Sequence, residues 1–170
     1  MYTASVPQVS KMLRHLEFWL EKAEQHAAAQ NFDVCTLLGA RLAPDMLPLS
    51  YQIQATCDNA KFIGARLAGQ APPPHADTEQ TVAELRERIR WTLGYLESIT
   101  AQDFEGAAER LVQLGFLPEG KRIVGHVYLN QLALPNFYFH LTTTYALLRQ
   151  SGVDIGKSDF LGAVPQVDAS

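Results

Sequence analysis

The chain has 170 residues, 47% hydrophobic and 19% charged, enough apolar side chain to bury a core and too much for a disordered protein. Fourteen Lys and Arg against 18 Asp and Glu leave a net charge of −4, which excludes a general nucleic-acid binder that draws affinity from a basic face. Two cysteines, Cys35 and Cys57, exclude a disulfide framework and fit no zinc spacing; they read as buried thiols in a reducing compartment.

Residues Met1 to Ser5 carry neither the basic patch nor the apolar stretch of a secretory signal. No apolar run reaches the ~20 residues of a membrane span. The expectation is a cytoplasmic protein without a membrane partner. Helical periodicity then dominates. Ser5 with Gln8 offers a capping box, and Val9, Met12, Leu13, Leu16, Leu20, Ala23 and Ala27 form one apolar stripe. A second helix is expected from about Pro44 to Ala68, with Met46, Leu49, Ile53, Cys57, Ala60, Ile63 and Leu67 on one face. Tyr51 and Phe62 fall nearly opposite, so this helix is expected to be covered on two sides.

Gly69 and the run Ala71-Pro72-Pro73-Pro74 end that helix and tether it to the next. The third helix takes Asp77 or Thr78 as its cap and Val82, Leu85, Ile89, Leu93, Leu96 and Ile99 as its stripe. Glu84 with Arg88 and Glu87 with Arg90 read as solvated pairs. Glycines and a proline between Thr100 and Leu134 break the pattern into short extended or single-turn pieces. A last helix is expected from about Pro135 to Gln150, with Gly152 as a left-handed cap. Residues 153–170 read as a tail that Phe160 and Leu161 pin to the surface. The whole, residues 1–170, reads as a single all-α domain, a four-helix bundle with an irregular segment before its last helix.

The chain contains no phosphate loop, no His-Glu-x-x-His and no Gly-x-Ser-x-Gly. Of its five histidines, His26 and His75 read as solvated, and His140 stands out. At about 100° per residue, Asn136 and His140 share a stripe with Thr143 and Leu147, so an amide and an imidazole face the apolar side. Tyr138 and Tyr145 fall on the side facing away. Buried polar groups need partners. One reading is a hydrogen-bond network from His140 to Gln52, Gln54 or Asp58; the other is a pocket for a metal or small molecule. The candidate site is thus Asn136, His140, Gln52, Asp58 and Tyr138. The aromatics Phe116, Tyr128, Phe137, Tyr138 and Phe139 read either as a cavity lining or as packing.

The segments Ala40 to Gln54, Lys61 to Gly69, Ala133 to Val153 and Ile155 to Gly162 resemble a family known only as a domain of unknown function, grouped with the DinB/YfiT-like metalloenzymes. PNFYFH and GKSDFLG are its most specific blocks here. The resemblance implies an up-down-down-up four-helix bundle, often dimeric, with a metal site between helices. In the superfamily one histidine of that site comes from the second helix and two from a His-x-x-x-His pair on the last. Some relatives are thiol-dependent transferases or isomerases.

In this chain His140 matches the second of the pair, Asn136 replaces the first, and the second helix has no histidine. A divalent ion would need Asp45 or Asp58 beside His140, and carboxamides ligate zinc or nickel poorly. The expectation is therefore no tightly bound cofactor. Three functions follow: a DinB-like protein with a degenerate metal site, leaving a small-molecule pocket or a structural polar core; a metal-assisted or thiol-dependent transferase or isomerase centred on His140; or an oligomeric partner-binding scaffold. A homodimer is expected, from the broad apolar face of the second helix.

Overall fold

The computed structural model describes residues 1–166; the end of the predicted tail, 167–170, lies outside the described residues. Four long helices carry the fold: α1 Val6–Gln30, α2 Leu49–Leu67, α3 Val82–Glu97, and a final rod. That rod begins as a helical turn, α4 Gly125–Val127, continues as a π-helical stretch Tyr128–Ala133, and becomes α5 Leu134–Gln150. A two-stranded antiparallel hairpin, β1 Leu111–Val112 and β2 Ile123–Val124, pairs Leu111 with Val124 just before it. A short helix α6, Lys157–Leu161, ends the described chain.

Side-chain contacts give the helix directions. Along α2 and α3 the pairs advance together: Asp58 meets Arg88, and Gly64 lies against Leu96 and Ile99. These helices are parallel, so the proline-rich segment must travel the bundle's length. α1 runs against α3, pairing Arg14 with Glu97 and Glu24 with Arg86. α2 runs against α5, pairing Gln52 with His140 and Asn59 with Asn136. α1 runs with α5, as Gln8 meets Tyr138 and Trp19 meets Tyr145. The order is up-down-down-up.

The core is built mostly by the predicted stripes, with Trp19 and Phe137 added from outside them, and Asn136, expected on the apolar side, is exposed. Leu13, Leu16, Trp19, Ile53, Ile63, Leu85, Ile89, Phe137 and Leu147 are fully buried together. Burying a side chain of this size contributes roughly 1.5–3 kcal/mol, so the stripes supply most of the drive to form the bundle. Phe160 stacks on Trp19 at 5.4 Å, and Val153 and Ile155 are buried. Leu161 stays exposed, so Phe160 alone of that pair pins the tail. Gly152 has φ +88, the left-handed value its place after α5 calls for.

Several local expectations are corrected. α2 starts at Leu49, not Pro44; Pro44 and Asp45 form a turn, and Pro48, whose extended backbone cannot join the helix, stands at its N-cap. α3 is capped by Thr81 in a capping box with Glu84, not by Asp77 or Thr78. At α1 no capping box forms: the buried Ser5 hydroxyl bonds the Met1 and Tyr2 carbonyls, and Gln8 donates to Tyr138. Tyr138 and Tyr145 do not face away from the bundle. The rod is gripped by α2 on one side and α1 on the other, which leaves neither tyrosine free. His75 is not loose either, lying 4.6 Å from Trp91 with a ring nitrogen 3.2 Å from Glu79.

Candidate functional site

The α2 stripe opposite the core is Tyr51, Ala55, Asp58, Phe62 and Arg66, spaced by three and four. It forms one wall of a cleft of about 330 Å³. The facing wall is Tyr128, Leu132, Ala133 and Asn136, from the π-helical stretch and the start of α5. Leu114 and Phe116, from the loop between β1 and β2, close one side, and Asp77 of the proline-rich tether reaches the rim. The π geometry has a local cause. Pro135 has no N–H to offer the Gln131 carbonyl, so the regular ladder is interrupted where the helix widens. Gly125 allows the rod to start there, since a Cβ would overlap the Ala107 carbonyl oxygen.

His140 lies one turn beyond the cleft, half-buried, with Tyr51 and Phe139 packed edge-on at 6.0 and 5.2 Å. Its Nδ1 is 2.8 Å from Gln52 Oε1. Gln52 Nε2 donates to the Leu47 carbonyl, so the amide oxygen faces the imidazole and the Nδ1–H donates. Burial lowers its pKa from the ordinary value and so favours the neutral ring, in which Nε2 carries the lone pair. One turn back, Asn136 Nδ2 donates to Asn59 Oδ1 at 2.7 Å, and Asn59 Nδ2 donates to the Ala55 carbonyl.

Under the same stretch of α2 lies a charged cluster. Arg88 sits within 3.0 Å of carboxylate oxygens of Asp58, Asp77 and Glu79, and its side chain is 1% exposed. Its Nη2 is 2.9 Å from Asp58 Oδ1 but off the hydrogen-bond direction, so charge attraction rather than a bond holds that pair. The buried Lys61 donates to the same oxygen at 2.7 Å. Burial alone would raise the Glu79 pKa, but hydrogen bonds from its own backbone N–H, Gln54 and Arg88, with the guanidinium charge, bring it below the usual value. Burial likewise opposes the charge on Arg88, and Asp58 and Glu79 more than restore it. Cys57 is sealed beside this cluster, its thiol pushed up to about 12 by burial despite Arg88 and Thr92, and is inert as a nucleophile at neutral pH.

The structure thus divides the five predicted residues. Asp58 and Asn136 line the cleft; His140 and Gln52 bond each other beside it; Tyr138 belongs to the α1 face. Asp45 is exposed in the turn before α2. The aromatic group divides too: Phe137 is core, Tyr128 and Phe116 line the cleft, and Phe139 is exposed. Sequence reasoning missed Arg88, taking it for a surface partner of Glu84. Its signal was phase, since Leu85 and Thr92 lie three and four residues away on the buried side. Arg66 and Asn59 were missed because the second stripe of α2 was followed only through its aromatics.

The family profile for "Domain of unknown function (DUF1993)" matches residues 1–161. The chain belongs to the DUF1993 family. This DUF1993 chain also resembles the crystal structure of a DinB family member protein from Shewanella denitrificans, with a TM-score of 0.94 and 43% sequence identity. The match covers 99% of this chain and 95% of that one. No curated protein matches. The DUF1993 chain therefore has the DinB-like bundle that the sequence blocks implied. Its residues do not fit the three-histidine ion of that superfamily. The α2 group meeting His140 is a carboxamide, the residue one turn before it is a carboxamide held by a third, and such oxygens ligate zinc or nickel poorly. Among the described residues no three His, Cys, Asp or Glu side chains are grouped to hold a metal.

Proposed function

We propose that this DUF1993 protein is a DinB-like small-molecule binder in which the superfamily's metal position has become a carboxamide–imidazole polar core. The observation that carries the reading is the cleft itself. It is concave, largely aromatic and aliphatic, carries a few convergent polar groups, and sits against a π-helical distortion of the kind that clusters at functional sites. His140 and Gln52 hold the N-terminal part of α2 to α5, and Asn59 with Asn136 bridges the same two helices, so the two walls are linked without a ligand.

The test is a small-molecule thermal-shift screen on wild type and Asn136→Trp, a change at an exposed helical position that fills the cleft. Compounds that bind the folded state raise its melting temperature by mass action. Hits are expected to stabilise wild type and to have no effect on Asn136→Trp. Equal shifts in both proteins, or no hit, would sink the cleft as a binding site. One equivalent of zinc, nickel or iron surviving gel filtration with chelator would overturn the metal-free reading.

A further inference from the structure

Resting on that cleft reading, we infer that the cleft takes an organic carboxylate, an aromatic body lying between its walls with its acid group on the guanidinium of Arg66. Arg66 is half-buried on the α2 wall, and among the described residues no carboxylate lies within ion-pairing distance of it. Its guanidinium lies 4.2 Å from the Phe62 ring centroid and 5.7 Å from that of Tyr128, so its charge rests beside two aromatic rings. Nη1 donates to the Tyr128 hydroxyl at 3.1 Å, leaving donors for a ligand.

The other charges around the cleft are committed. Asp58 is held by Lys61 and Arg88, and Asp77 by Arg88, so the cation without a counter-ion is the one an incoming acid meets. A planar guanidinium presents parallel N–H groups to a carboxylate, and in a partly desolvated cleft such charge-assisted bonds are about twice as strong as neutral ones. Phe116, on the loop between β1 and β2, is 72% exposed at the mouth, where an aromatic ligand would cover it.

The matched probes are naphthalene-2-acetate and its neutral amide, titrated into the full chain by calorimetry and by backbone amide NMR. The acid is expected to bind at least about tenfold more tightly than the amide, with shifts centred on Arg66, Tyr128 and Phe116. Arg66→Gln should bring acid and amide to similar affinity, and Arg66→Lys should retain only part of the preference. Comparing the two probes on wild type requires no variant to fold. Equal binding of acid and amide would overturn the carboxylate inference while sparing the cleft. Failure of both to bind would overturn the inference and count against the cleft as well.

Discussion

Arg86 and Arg88 stand two residues apart on α3, and each gathers three carboxylates. Arg86 reaches across to α1, 2.5 Å from Glu21 and 2.7 Å from Glu24, with Glu17 at 3.8 Å, and its side chain is 17% exposed. Two helical positions turn the chain by about 200°, so Arg88 points the other way, into the seam between α2 and α3. There, itself almost without solvent, it meets the buried Glu79, the partly buried Asp58 and the exposed Asp77. The residue type and the number of partners are the same, but the consequences differ. The outer cluster trades hydrated charges for partly hydrated pairs and gains little. The inner one has replaced the hydration of its charges by contacts that, once removed, water cannot easily restore. The inner cluster also ties the proline-rich tether to both helices.

Breaking the inner cluster should therefore have the largest effect. Arg88→Met is expected to cost about 3–5 kcal/mol in urea unfolding, because the buried Glu79 loses its guanidinium counter-charge and Asp58 is left with Lys61 alone. Adding Glu79→Gln should recover part of that loss. A cost below about 1 kcal/mol would place Arg88 with the exposed pairs. The acid limb of the stability curve provides a second measure. Because Glu79 is held below its usual pKa, its contribution is present above the unfolded value of about 4.3 and disappears as pH falls through the lower folded one. Arg88→Met should flatten that limb.

His140 should come next. His140→Ala strands the amide oxygen of the buried Gln52 and leaves a small void beside Tyr51, for an expected loss of about 1–3 kcal/mol at pH 7. A loss below about 0.5 kcal/mol, typical of surface changes, would show that the Gln52 contact does not stabilise the fold. The pH dependence has a definite sign. Burial lowers the folded pKa, so the unfolded chain takes up the proton first, and this contribution to stability falls as pH drops below about 6.5. Wild type should lose stability between pH 7 and 5 more steeply than His140→Ala.

The smallest change is expected at the outer cluster. Arg86→Gln should cost less than about 1 kcal/mol, and the difference should shrink as salt is raised from 0.05 to 1 M, where screening reaches only about 3 Å. A large, salt-insensitive loss there would remove the contrast between the two arginines.

What the sequence determined by itself was the bundle. Periodic stripes at Val9 to Ala27, Leu49 to Leu67 and Val82 to Ile99 are local facts about hydrophobic phase, and each became a buried face of one core, whereas Met46 fell outside α2 and the last helix buried Phe137, Leu141 and Leu148 rather than Asn136. The left-handed cap at Gly152 and the need of His140 for a partner were legible for the same reason, since backbone strain and desolvation act on single residues. The helix directions were implied by the family resemblance and not by periodicity, while the choice of Gln52 over Gln54 or Asp58 and the burial of Arg88 were decided by tertiary structure. They depend on which helix lies alongside and in what register, and a parallel α2–α3 pair joined by a long tether leaves no short-range trace. The cleft is the extreme case. Its walls come from α2, the rod and the β1–β2 loop, and Arg66 looks in the sequence like any solvated charge until Phe62 and Tyr128 are found beside it.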